Sequence, residues 1–185
     1  MKVEQTFSNS HSSVPRPQDS IAQIQTLLCD WFAGHKRDLP WRRTYTPYHV
    51  WISEVMLQQT QMERGVLYFE RWMERFPTIA SVAASSEEEV LRYWEGLGYY
   101  SRARNILKAA QLIQERFGGE FPSDPVDIGS LPGIGAYTKA AVASIAFQLP
   151  LASIDANVER VLARIFNVSL NVKSEEGKQA IADLA

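Results

Sequence analysis

The segment Leu131-Pro132-Gly133-Ile134-Gly135 constrains this chain more than any other, because it ends one helix and opens the next within five residues. Proline and two glycines permit a tight turn, since glycine tolerates positive φ and lets another backbone come close. The apolar run from Ala136 to Phe147 reads as a helix, so its N-terminus faces whatever approaches the turn. Such an end carries unsatisfied N–H donors and a positive partial charge, which suit a phosphate. Twenty residues after Gly135 comes Asp155, a carboxylate at the entry of another helix. A phosphate grip beside an acid points to chemistry on a nucleic acid.

Helical spacing dominates the rest of the chain, and no strand alternation or repeat interrupts it. The expectation is an all-α protein of about ten short to medium helices, formed as one domain or as two small lobes sharing a core. Residues 1 to 19 are polar, rich in Ser, Pro and Gln, and read as a disordered tail. Asp19 or Ser20 would cap a first helix through Phe32, and an irregular arm runs from Arg37 to Pro47. Helices are expected around Val50 to Leu57, at Met62 to Arg75, and from a Ser86/Glu89 capping box to about Glu95. Others are expected at Tyr100 to Phe117, near Pro125 to Gly129, and at about 136–147, 156–166 and 175–185. The chain ends inside a helical pattern at Ala185, which reads as a truncation.

Composition narrows the function classes. Nineteen Lys and Arg against twenty-one Asp and Glu give a net charge of −2, which excludes a histone-like polycation but not a local basic patch. Cys29 is the only cysteine, so neither an intrachain disulfide nor an all-cysteine metal cluster can form within the chain. No signal-peptide pattern or bilayer-length apolar stretch is present. A cytoplasmic monomer without a membrane partner is expected.

Two helices joined by Leu-Pro-Gly-Ile-Gly match a helix-hairpin-helix, whose amides hold a DNA phosphate without reading sequence. An ordinary interhelical turn is the alternative. Leu131, Gly133, Gly135 and Thr138 are the expected contacts, and the carbonyls of Gly129, Leu131 and Ile134 could ring a monovalent cation. Asp155 suits a helix N-cap, and that role is compatible with reactivity: the capped N–H groups and helix dipole hold it ionised. Glu54 lies in the apolar segment Trp51-Ile52-Ser53-Glu54-Val55-Met56-Leu57. It is either a solvent-facing charge or a carboxyl in a poorly solvated cleft, protonated near neutrality. Gln58 and Gln59 are surface amides or a wedge that fills the gap left by an extruded base. Around Tyr99 and Tyr100, with Arg102 and Arg104, aromatics could slip between bases while arginines hold phosphates; a buried helix start is the alternative. Trp41, in Leu39-Pro40-Trp41-Arg42-Arg43, either lines a flat pocket for a purine or plugs a gap between helices.

Taken in order, these segments resemble the helix-hairpin-helix DNA glycosylases, nearest to their A/G-specific adenine glycosylase branch. The resemblance runs from about Ile21 to the C-terminus. It rests on Leu39-Pro40-Trp41, Trp51 through Gln61, Gly96-Leu97-Gly98-Tyr99-Tyr100, Leu131 to Gly135, and Asp155-Ala156-Asn157-Val158. It implies a six-helix barrel lobe with a second helical lobe, incomplete here, over residues 20–185. It also implies removal of adenine mispaired with 8-oxoguanine or guanine in double-stranded DNA, by base flipping. Glu54 then matches the residue that protonates the leaving adenine. Asp155 matches the carboxylate that stabilises the oxocarbenium ion, as in retaining glycosidases. Asn157 falls near Asp155, and Tyr137 at a tyrosine close to the scissile bond. Arg37, Leu39, Trp41, Arg42, Leu57 and Met62 fall around the adenine pocket, and Gln59 and Tyr99 where the duplex is invaded.

Two other readings accompany this one. An endonuclease III-like branch uses a lysine Schiff base, but that lysine would fall at Tyr137; Lys139, two residues on, points elsewhere on a helix. A non-catalytic DNA-binding fragment is the third reading. The family also has Gly where this chain has Ala156. It continues into four cysteines that bind a [4Fe-4S] cluster and into a Nudix-like domain, and those cysteine ligands are absent from this chain.

Overall fold

The computed structural model describes the backbone from residue 17 and side chains from residue 21, both to residue 185. Contacts divide the chain into two units, Met1–Asp38 and Leu39–Ala185. Helix α1 (Pro17–His35) makes up most of the described part of the first. It starts at Pro17 rather than after Asp19 or Ser20, and proline is well tolerated in a first helical turn. Most of the tail expected over residues 1 to 19 therefore lies outside the described residues. Leu27, Leu28, Trp31 and Phe32 are exposed on α1. At its end the His35 ring stacks on Trp31 at 4.9 Å.

In the second unit the arm after Leu39 holds a short 3-10 turn, Pro40–Arg42, that buries Trp41. Helix α2 (Pro47–Leu57) follows, with Pro47 at its first position and Thr46 accepting a bond from the His49 amide. Val50, Trp51, Ile52, Val55 and Met56 are all buried, so α2 is apolar almost all round and sits inside the fold. It packs on α3 (Met62–Arg75) and on α8 (Ala136–Phe147). Helix α6 (Ser101–Phe117) packs on α4 (Ile79–Ala83) and α5 (Glu87–Trp94), and ends at Gly118 in the left-handed region. Helix α7 (Pro125–Ser130) leads through the glycine turn into α8. Last come α9 (Ala156–Ile165) and α10 (Glu175–Leu184), which pack on each other.

One core runs from Leu39 through Ala143 and joins the 3-10 turn to α2–α8. Trp51, Trp72 and Trp94 are fully buried in it. The Trp72 indole meets Trp94 edge-on at 5.7 Å and donates to the Tyr48 hydroxyl at 3.0 Å. That hydroxyl donates in turn to the Phe76 carbonyl at 2.8 Å, which satisfies each polar atom buried there. By contrast α9 buries no residue, and Val161 and Ile165 are exposed. Among the described residues the fold is therefore all helical, as the sequence predicts, with α2 to α8 packed around one core to which α9 contributes nothing. None of these helices is long and apolar enough to cross a membrane.

Two local expectations differ. The Ser86 hydroxyl accepts from the Glu89 amide at 3.1 Å, but the Glu89 carboxylate turns away to Arg75, whose Nε lies at 2.7 Å, so the box is half formed. A reciprocal capping box stands instead at Thr78 and Ser81, opening α4. That helix is too short for its periodicity to register.

Candidate active site

The packing of α2 against α8 sets a cleft of about 390 Å³ whose wall includes Glu54, Tyr137 and Asp155. Glu54 is the fourth residue from the C-terminal end of α2, half-buried between the buried Ser53 and Val55. Desolvation pushes its carboxyl above the ordinary glutamate value, a shift that the Asp155 charge reinforces. The Tyr137 hydroxyl, which donates to it, and the Arg42 guanidinium act in the opposite sense without cancelling burial. Tyr137 is pushed up to about 12, by burial first and then by the Glu54 charge, so its phenol remains a donor.

Asp155 is the N-cap of α9. Its Oδ1 accepts from the Val158 amide at 2.8 Å and the Asn157 amide at 2.9 Å, and its Oδ2 accepts from the Asn157 side-chain amide at 3.2 Å. These bonds, the Val158 amide foremost, hold its carboxyl below the usual aspartate range. Structural cap and ionised carboxylate are thus one side chain. The cleft holds two carboxyls whose surroundings push their proton affinities apart, the arrangement that separates an acid from an anion in glycoside chemistry.

Beside the cleft lies the glycine turn. Gly133 has φ +78°, and a Cβ there would fall 2.6 Å from the Asn105 Cβ, so both its conformation and its space demand glycine. Gly135 caps α8 with open space at the place a Cβ would take, and it makes no side-chain cap bond. Its amides therefore remain presented to an anion. Within the turn the Leu131 amide bonds the Ile128 carbonyl, and the Leu131 carbonyl takes the Ile134 amide. The expected carbonyl ring thus has one member already engaged, and the Leu131 side chain is buried in the core.

Of the residues expected around the pocket, Trp41, Arg42, Leu57 and Met62 line the cleft. Leu39 does not: it packs into the core at the mouth of the 3-10 turn. Arg37 falls in the first unit, where its side chain is exposed. Thr138, expected to meet DNA, is 2% exposed and accepts a bond from the Gln58 amide at 3.3 Å. Gln58 thus faces the cleft and α8, while Gln59 is exposed beside it. Tyr45, Ser53 and Ile145 also line the cleft and escaped the sequence reading, because nothing in their local pattern distinguishes them from arm or core positions. Arg102, read there as a phosphate contact, is instead turned inward onto backbone carbonyls, and Arg104 pairs with Glu87 at 2.7 Å.

Among the described residues, an all-helical fold in which a glycine turn joins α7 to α8 defines the class of helix-hairpin-helix proteins. The family model of the HhH-GPD superfamily of base excision DNA repair proteins matches residues 52–184, and the chain belongs to that superfamily. It is 41% identical over 154 residues to the adenine DNA glycosylase of Buchnera aphidicola subsp. Baizongia pistaciae, covering 83% of this chain and 44% of that protein. The rat adenine DNA glycosylase is also 41% identical, over 174 residues, covering 89% of this chain and 34% of the relative. The human one matches at the same identity, with 32% of its length covered. The chain thus spans from 32% to 44% of the length of these relatives. Among solved structures, a thermostable thymine-DNA glycosylase superposes with a TM-score of 0.77 at 27% identity, covering 89% of this chain and 77% of that one. An endonuclease III–DNA covalent intermediate shares the fold with a TM-score of 0.74 at 24% identity, covering 92% and 77%.

The iron–sulfur cluster expected from the family resemblance does not fit the residues present. Cys29 is the sole cysteine of the sequence and is exposed on α1. Among the described residues no group of three or more His, Cys, Asp or Glu could hold a metal.

Proposed function

We propose that this chain carries the base-excising site of an adenine DNA glycosylase, acting on adenine opposite 8-oxoguanine or guanine in duplex DNA. The observation that carries the reading is one cleft lined by both Glu54, whose carboxyl burial pushes up, and Asp155, whose carboxyl the cap bonds of α9 hold down. In the proposed reaction a flipped deoxyadenosine enters between Trp41 and Leu57. Glu54 gives its proton to the base, at N7. The C1′–N9 bond then breaks, and its electron pair leaves with the neutral adenine. The cationic sugar is held by the Asp155 carboxylate, fixed in place by Asn157 and the first turn of α9. Glu54, now anionic and still held by Tyr137, takes a proton from water as that water adds to C1′.

The endonuclease III-like alternative needs an amine at the sugar. Tyr137 occupies that place, and the aliphatic stem of Lys139 lies against Gly129 of α7: a Cβ on Gly129 would come 3.1 Å from Lys139 Cδ. Hydrolysis without strand cleavage is therefore the better-supported chemistry.

Single-turnover release of adenine from a duplex with one A·8-oxoguanine pair tests the proposal. Wild type releases adenine and leaves the strand intact. Glu54→Gln loses release, and so does Asp155→Asn, which preserves the cap because Asn caps as well as Asp; losses on the order of 10²-fold or more are expected for such groups. Salt-sensitive duplex binding with no release by wild type would instead select a non-catalytic DNA-binding chain.

A further inference from the structure

Arg102, near the start of α6, has its guanidinium inside the protein between two loops. Its Nη1 reaches the carbonyls of Val55 at 2.8 Å, Met56 at 3.2 Å and Gln58 at 2.8 Å, which are the C-terminal carbonyls of α2 and the residue after it. Its Nη2 reaches the carbonyls of Leu97 at 3.2 Å and Gly98 at 3.3 Å in the loop between α5 and α6. The plane lies near the Trp94 ring, 5.2 Å from its centroid, and near the Tyr99 ring at 5.6 Å. Its Nε is buried without a partner, alone in this among the described residues. A cation is thus placed where helix α2 ends and where carbonyl dipoles converge from two directions.

Each of the two loops contains a non-glycine residue held at positive φ: Gln59 at 57° and Tyr99 at 48°. Such conformations cost free energy and persist only when their surroundings over-determine them. Tyr99 is 64% exposed and Gln59 is exposed, so neither is fixed by burial of its own side chain. What fixes them is the backbone beneath. In the Tyr99 loop four successive carbonyls are taken: Glu95 by the Tyr68 hydroxyl at 2.7 Å, Gly96 by Arg64, Leu97 by Arg102, and Gly98 by Arg102 together with the Trp94 indole at 3.0 Å. Only Arg102 also grips the Gln59 loop. Gln58, whose carbonyl it holds, passes the connection on through its side-chain amide to Thr138, next in sequence to Tyr137 on α8.

We propose that Arg102 is a positioning residue that ties the Gln59 and Tyr99 loops into one two-pronged wedge and sets that wedge against the cleft. The proposal rests on the glycosylase reading for what the wedge enters, namely the base stack of a duplex. Arg102 touches no substrate. Its planar fork spans two loops, which a lysine ammonium, a compact point charge, does not do.

Arg102→Lys, assayed as full chain, keeps the charge and tests the geometry. Single-turnover adenine release should fall on the order of 10²-fold, the scale of a one-ångström misplacement, with much less change in affinity for undamaged duplex. In a Gln59→Ala/Tyr99→Ala background the same replacement should add little, because the wedge it positions is gone. Multiplicative losses would overturn the proposal, as would an unchanged rate in the folded variant. Should the variant not fold, hydrogen exchange on the wild type decides. Amides of residues 58–60 and 97–101 should open as one unit with a common protection, whereas independent opening overturns the tie. This exchange measurement needs no glycosylase activity, so failure of the functional reading and failure of this one remain distinct.

Discussion

Glu54 and Asp155 are both carboxylic acids in one cleft, yet folding acts on them in opposite senses. Glu54 is raised, so the folded chain holds its proton more tightly than the unfolded chain does. Its contribution to stability is full below the ordinary glutamate value and is lost as pH rises through the raised one. Glu54→Gln cannot lose a proton there. The variant should therefore melt above wild type at neutral and alkaline pH, with the difference closing as pH falls below the glutamate range. Thermal melts across pH measure this directly, and a wild type more stable than the variant at neutral pH would mean that the folded state favours the Glu54 carboxylate. The sequence left Glu54 undecided because α2 is apolar nearly all round, and periodicity alone does not tell which side of such a helix a cleft opens on. Asp155 was easier to read, since an N-cap is a local feature and Asp155-Ala156-Asn157-Val158 contains all of it. Arg102 shows the converse: its partners are main-chain carbonyls from two distant loops, and no side-chain pattern displays them.

The glycine hairpin shows how one element divides structure from contact. Gly133 is needed by the fold, being both left-handed and pressed on Asn105. Gly135 has extended-side φ of −86° and nothing nearby, so its smallness is not required by packing. Gly133→Ala should destabilise the chain by about 1–3 kcal/mol, from positive φ and the close approach combined. Gly135→Ala should cost no more than about 1 kcal/mol, the loss of a tolerable N-cap, yet weaken duplex binding by crowding the bare helix end. Melting and salt-dependent DNA titration of both variants separate the two roles. A Gly135→Ala protein that binds as wild type would remove this helix end from the DNA contact. The turn itself was legible from five residues. Burial of Thr138 was not, because it depends on Gln58 arriving from a helix eighty residues earlier. Helix α4 was lost to its five-residue length, and its capping box uses Ser81 where Glu or Gln is the recognised sign.

Across the whole molecule, order follows the tryptophans. Helices α2, α3, α5 and α6 close around Trp51, Trp72 and Trp94, whereas α9 buries none of its residues. Native-state hydrogen exchange should place the amides of α2 and α6 among the most protected and those of α9 among the least; equal protection in all three would contradict this division. The all-helical class and the order of helices were readable from periodicity, but the uneven packing was not, since α9 carries as regular an apolar stripe as the helices that are buried. The catalytic carboxylate proposed for the sugar thus sits at the head of the loosest helix in the second unit. Where α9 frays, Asp155 loses the amides that aim it and keep it charged, and reverts to an ordinary aspartate. On the proposed glycosylase reading, misassembled copies would in that way disarm themselves, because only a chain with α9 in place aims the carboxylate at the sugar.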